Sequence, residues 1–271
     1  VSSFVLALNT STIRPAPLME KIRVAAEAGF RAIELWNDEL TAHVEAGGTL
    51  KEVKAALDDA GLSVPTVIHI GGWLDAEGEA YRQALDVARR KMEQAAAVGA
   101  PRIIAGPPAG PVDLDRAAER YRELLAIGRE FGVLPAMEFL GFVHGINTIR
   151  AAWEIVSRAG DPDGTIVLDP FHIFRGGSPV EDIRLIPAER IAVFHFNDAP
   201  GDIPREEQAD GHRVMPGDGV LPLAEELRML KEMGYQGAVS LELFNEKLWQ
   251  ADPLEVAKEG YRRMAALVES L

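Results

Sequence analysis

The chain has 271 residues, of which 28 are Lys or Arg and 42 are Asp or Glu, giving a formal charge of −14, and 47% are hydrophobic. That is ample material for one large core, and the acidic excess argues against a protein that coats nucleic acid or an anionic membrane. With no cysteine there can be no disulfide, thiolate nucleophile or thiolate-held zinc, so any metal must be held by His and carboxylates.

The segment Val1 to Asn9 has neither a basic leader nor a long apolar core, and no apolar run reaches the ~18–20 residues that span a bilayer. The sequence therefore reads as a soluble, cytoplasmic protein. In chain order, a first strand is expected at Phe4–Asn9, and a helix closing at Ala28-Gly29-Phe30 leads to a second strand at Ala32–Leu35. The capping-box spacing Thr49-Leu50-Lys51-Glu52 opens a helix that ends at Ala60-Gly61-Leu62, before a third strand at Val64–His69 and a loop at Gly71-Gly72. The junction Val98-Gly99-Ala100 precedes a fourth strand at Arg102–Ala105. A helix with Tyr121, Leu124, Leu125 and Gly128 on one face ends at Phe131-Gly132-Val133, before a fifth strand at Leu134–Glu138. Ala159-Gly160-Asp161 precedes a sixth at Thr165–Asp169, followed by a flexible turn at Gly176-Gly177. The seventh runs over Ile191–His195. Met233-Gly234-Tyr235 leads to the eighth at Ala238–Glu242, and a last helix carries Met264, Leu267, Val268 and Leu271 on one face.

Six helix–glycine–strand junctions of one kind follow from glycine's ease in the left-handed conformation that ends helices. Strands alternating with helices pair in parallel through right-handed crossovers, and eight units in roughly 250 residues specify an α/β fold, a closed (β/α)₈ TIM barrel, as one domain over 1–271. A doubly wound open sheet is the rival, but no G-x-G-x-x-G follows the first strand and there is no P-loop.

In such barrels the reaction site lies at the C-terminal ends of the strands. Strands five to eight end in Glu138, Asp169, His195 and Glu242, each after an otherwise apolar run. One such residue alone is an ordinary helix cap or ion-pair partner. Four from adjacent strands must meet at one rim, where three carboxylates and an imidazole make a hard site for Mn²⁺, Co²⁺, Mg²⁺ or Zn²⁺.

The segments Ala136-Met137-Glu138-Phe139, Leu168-Asp169-Pro170-Phe171-His172, Phe194-His195-Phe196-Asn197-Asp198 and Ser240-Leu241-Glu242-Leu243-Phe244 resemble the xylose-isomerase-like sugar isomerase/epimerase superfamily, in order and over essentially the whole chain. The resemblance is strongest to the 2-keto-myo-inositol isomerase branch. It implies that Glu138, Asp169, His195 and Glu242 bind one divalent metal ion, with Mn²⁺ ahead of Zn²⁺, Co²⁺ and Mg²⁺. It also implies that His172 and Arg213 contact substrate. At the rest of the rim, His69 is a candidate to hydrogen-bond a sugar and Trp36 to cover its apolar face. Asn9 is a cap or a substrate contact, Trp73 a lid residue, and Arg175 an anion contact. His43, His144 and His212 have loop positions only.

Two glutamates flanking a metal-held ketose suit proton movement through a cis-enediolate, and Glu138 and Glu242 are the candidate acid/base pair. The expected function is thus a metal-dependent isomerase or epimerase of a polyol ketone or ketose, with no nucleic-acid or membrane partner and a homo-oligomer left open. Inosose dehydration on the same scaffold is the alternative, and a non-catalytic sugar-binding barrel another. An abasic-site endonuclease shares these motifs, but it needs a trinuclear site. Strand four, moreover, ends in Ala105-Gly106-Pro107-Pro108 without a histidine.

Overall fold

A computed structural model describes residues 4–271; Val1, Ser2 and Ser3, on which part of the N-terminal expectation rests, lie outside the described residues. All six junction glycines take positive φ: Gly29, Gly61, Gly99, Gly132, Gly160 and Gly234, between 64° and 108°. Each turns the chain from an outer helix toward a strand, ahead of the second to sixth and the eighth of the set β1 Val5–Asn9, β2 Ala32–Trp36, β3 Val67–Ile70, β4 Arg102–Ala105, β5 Leu134–Met137, β6 Thr165–Leu168, β7 Ile191–Phe196 and β8 Ala238–Leu241. Neighbours pair in parallel, and β8 closes on β1. The protein is a single-domain (β/α)₈ barrel.

Side chains alternate along each strand, so residues two apart share a face. Outward residues such as Leu8, Ile33, Ile103, Met137, Ile166, Phe194 and Leu241 pack under the helices. Inward, each strand gives one apolar residue to a central plug: Ala7, Ala32, Ile68, Ile104, Ala136, Val167, Val193 and Ala238. The helix Leu114–Phe131 buries the predicted face of Tyr121, Leu124, Leu125 and Gly128. Thr49 and Glu52 form the capping box reciprocally, at 2.7 and 3.2 Å. In the last helix, Pro253–Glu269, Met264 and Val268 are buried and Leu267 stays partly exposed, while Leu271, also partly exposed, lies beyond the helix end.

Several boundaries differ from expectation. β3 starts at Val67 rather than Val64, because Pro65 has no N–H to give the ladder and pairing with β2 begins at Leu35↔Val67. Gly176-Gly177 is not a free loop: Gly176 ends a helix, Pro170–Gly176, which Gly177 caps at φ 74°. Short helices at Asn37–Glu45 and Glu246–Trp249 add to the loops after β2 and β8. No helix among the described residues is long and apolar enough to cross a membrane.

Candidate active site

Glu138, Asp169 and Glu242 each stand one residue beyond β5, β6 and β8, and His195 is the penultimate residue of β7. Two positions before each lies a plug residue or, in β8, Ser240, so the strand pleat aims all four into the barrel mouth. They meet at His195 Nδ1, which lies 3.0 Å from Glu242 Oε2, 3.8 Å from Asp169 Oδ2 and 3.9 Å from Glu138 Oε1. Ligand atoms of Asp169, His195 and Glu242 fall within 4.8 Å of one another. Although Glu242 is close, Nδ1 has no hydrogen-bond partner of acceptable geometry and is inaccessible to solvent. A buried ring nitrogen without a partner, ringed by carboxylate oxygens, fits a divalent cation.

The other ring nitrogen is held by Glu34, a residue the sequence reading passed over. His195 Nε2 lies 3.2 Å from Glu34 Oε1, and both side chains are fully buried. With the Nε2 proton on Glu34, the Nδ1 lone pair is free for an electrophile, the arrangement by which a carboxylate orients a ligating imidazole. Glu34 in turn accepts from the Thr66 hydroxyl and, at 3.3 Å, from Asn9 Nδ2. The same Asn9 amide donates to Glu242 Oε1 at 3.0 Å, while its carbonyl accepts from Ser11 N–H and Trp36 Nε1. Asn9 is therefore both a cap and a positioning residue for Glu242. The signal for Glu34 was a carboxylate inside the apolar strand Ala32-Ile33-Glu34-Leu35.

Asp169 is a helix cap and a site residue at once. Oδ1 accepts from Phe171 N, His172 N and Asn197 Nδ2 at 2.8, 3.3 and 3.1 Å. Oδ2 is left to face the site, where it accepts from Arg213 Nη1 at 3.0 Å. The same Nη1 bonds Glu242 Oε2 at 2.8 Å, and Nη2 meets Asp210 Oδ1 at 2.5 Å and His172 Nε2 at 3.0 Å. Phe171 and Phe244 cover the guanidinium at 4.8 and 5.2 Å. By contrast, the Glu138 carboxylate has no hydrogen-bond donor among the described residues.

The cluster opens into a cavity of about 170 Å³ lined by all four predicted substrate contacts, Trp36, His69, His172 and Arg213, with Glu138, Glu242, Asp210, Leu140 and Phe244 among its walls. A pairing slip between Ile68 and Ile70 re-aims His69 toward the cavity. Trp36 stands edge-on to His69 and Phe244, each 5.9 Å away. Beside Glu138, a Cβ on Gly106 would stand 3.9 Å from Oε2, so glycine keeps that wall open.

Trp73 is no lid: it is fully buried, donates to Gly106 O at 3.0 Å and packs on Tyr121. Nor is Arg175 an anion contact, since Nε and Nη2 donate to Gln208 O and Glu206 O and fasten the loop after β7. Asp198, at the end of the segment Phe194-His195-Phe196-Asn197-Asp198, secures that loop by accepting backbone N–H bonds from Ala199, Gly217, Gly219 and Leu221 at 2.9–3.0 Å. A Cβ at Gly219 would come within 2.4 Å of its carboxylate. None of His43, His144 and His212 lines the cavity.

Burial, then the Glu242 and Asp169 charges, push Glu138 up to about 8. For His195, burial works against the proton, but the charges of Glu242 and Glu34 and the contact with Glu34 outweigh it and raise the pKa well above the usual histidine value. Burial likewise opposes ionisation of Glu34, but the His195 charge, hydrogen bonds from His195 and Thr66 and the nearby Ser240 hydroxyl together outweigh it and lower the pKa. Asp169 is held below the carboxylate range, burial being overcome chiefly by Arg213. Burial lowers both His69 and His172, and at His172 the Arg213 charge adds to it. His172 also faces donors at both nitrogens, Gly141 N–H at 3.1 Å and Arg213 Nη2. A cation entering the site would displace protons from Glu138 and His195.

An eight-stranded barrel with a carboxylate–imidazole cluster at its C-terminal mouth defines a class, and a sequence model described as xylose isomerase-like TIM barrel matches residues 22–267. The chain belongs to that family. It is 28% identical over 258 residues to an inosose isomerase of Halalkalibacterium halodurans, covering 92% of this chain and 91% of that one. It is 25% identical to a 3-dehydroshikimate dehydratase of Pseudomonas putida, covering 93% of this chain and 40% of that one. Among solved structures, the IOLI protein with a bound zinc atom superposes with a TM-score of 0.92 at 22% identity, covering 98% of this chain and 99% of that one.

Proposed function

We propose that this protein is a divalent-metal-dependent isomerase or epimerase of a polyol ketone or ketose, a keto-inositol above all, acting in the cytoplasm as one domain spanning 1–271. The observation that carries this reading is the partnerless, buried His195 Nδ1 facing Glu138, Asp169 and Glu242, with two of those carboxylates open to one cavity. The enzymatic relatives, an inosose isomerase foremost, support it.

Glu138, Asp169, His195 and Glu242 would hold the ion, Mn²⁺ first and Zn²⁺, Co²⁺ or Mg²⁺ as alternatives. Bound there, it would supply Lewis acidity to adjacent carbonyl and hydroxyl oxygens and offset the charge of a cis-enediolate. Glu138, with no hydrogen bond to break, takes or returns the proton on one face of the substrate. Glu242, fixed by Asn9 and Arg213, serves the neighbouring carbon. His172 and Arg213 position the polar side of the substrate, while His69 and Trp36 close the opposite wall. Glu34 keeps His195 in the ligating tautomer.

The dehydratase relative favours one second reading, in which the same enolate expels a β-hydroxyl. Incubation of metal-loaded protein with 2-keto-myo-inositol in D₂O tests both. Deuterium entering at the carbon beside the ketone is the expected result. No exchange with any inosose or ketohexose would overturn the isomerase reading, and an absorbing conjugated product would establish elimination instead.

A further inference from the structure

Among the residues lining the cavity, Arg213 is the only Arg or Lys, and both of its terminal nitrogens are already engaged. Nη1 serves Asp169 and Glu242, Nη2 serves Asp210 and faces His172, and Nε is inaccessible to solvent. Aromatic rings cover the guanidinium. Asp169 and Glu242 hold it from the buried side, their side chains 1% and 4% exposed, whereas Asp210 is 36% exposed. Of the nearby cations outside the lining, Lys91 donates to His69 O at 2.7 Å, Arg175 is spent on loop carbonyls, and Arg14 on Asp38 and the Trp36 ring. His172 faces N–H donors at both ring nitrogens, Gly141 N and Arg213 Nη2.

An anionic group entering this cavity would therefore meet a carboxylate in front of an engaged guanidinium. We infer that Asp210 is a specificity-determining residue: it closes Arg213 Nη2 to the cavity and places a negative charge at its wall, so that uncharged polyol ketones are admitted and ketones bearing a carboxylate or phosphate are rejected. The inference deepens the proposed function and rests on it only in that the cavity binds a carbonyl compound. The effect is electrostatic exclusion.

The test is calorimetric binding of 3-dehydroshikimate and its methyl ester, which share a ring and differ in charge, to metal-loaded protein, with 2-keto-myo-inositol as the uncharged reference. The ester should bind at least about tenfold more tightly than the acid in the native protein. In Asp210→Asn that gap should narrow to within about threefold through tighter binding of the acid, and in Asp210→Glu it should persist. Acid binding as tight as ester binding in the native protein would overturn the inference. So would an unchanged gap in a folded Asp210→Asn variant, or failure of both the ester and 2-keto-myo-inositol to bind. If Asp210→Asn does not fold, the native acid/ester ratio decides alone. Uncharged ligands that bind without deuterium exchange would sink the isomerase reading and leave the charge selectivity standing.

Discussion

The two levels of the barrel interior are built on the same strands two residues apart, and they are held in opposite ways. At the lower level Ala7, Ala32, Ala136, Val167 and Val193 fill space by shape. One pleat higher stand Asn9, Glu34, Glu138, Asp169 and His195, joined on the closing strand by Glu242. The lower level needs only apolar volume, so its interactions are short-ranged and tolerant of volume-conserving change. Each ionisable group above is affordable only because another, distant in sequence, faces it, as Glu34 faces His195 across 161 positions. Chemistry thus occupies the level where burial is already costly, and the plug beneath closes the barrel floor.

Perturbing the upper level should cost function before stability. Glu242→Gln should lower deuterium exchange by about 10³-fold or more, with the circular dichroism spectrum retained; activity within severalfold of native would remove Glu242 from the acid/base pair. Glu34→Gln should weaken metal binding about 10–100-fold in a competitive chelator titration, by loosening the imidazole it orients. An unchanged affinity would make Glu34 a packing residue.

A third kind of burial sharpens the contrast. Glu226, on the helix Leu223–Glu232, is 1% exposed and its Oε2 has no partner, and burial first, then the charges of Asp169 and Asp198, push it up to about 8. Between its ordinary pKa of 4.5 and about 8 the folded state binds the extra proton, so this group's contribution to stability falls as pH rises through that window. Glu226→Gln should accordingly stabilise the protein on the order of 1–3 kcal/mol at pH 8 and hardly at all at pH 5; equal gains at both pH values in thermal melts would contradict this. The smallest effect belongs to the plug. Ile104→Val should cost about 0.5–1.5 kcal/mol in denaturant melts and leave exchange unchanged.

The same contrast explains what could be read from the chain. Junction glycines and apolar alternation are local, and each of the six glycines and eight strands was legible, as were the ionisable residues ending strands five to eight. Glu34 was not, because it lies within its strand and its importance comes from His195 on the far side of the barrel. Asn9 was ambiguous for the same reason, since only closure of β8 on β1 brings it to Glu242. The helix after β6 had a local signature in Asp169-Pro170, a capping residue followed by proline at the first helical position, and was still missed because Gly176-Gly177 read as a turn. Arg175 looked free because its partners, the carbonyls of Glu206 and Gln208, carry no side-chain signal.

The central claim is that Glu138, Asp169, His195 and Glu242 together hold one divalent cation. Metal content and affinity of the native protein against His195→Ala, with Mn²⁺ and Zn²⁺ supplied at equilibrium, test it most directly. The account predicts one ion per chain in the native protein and loss of most of that affinity in the folded variant. An undiminished ion in His195→Ala, or no stoichiometric ion in the native protein, would contradict it.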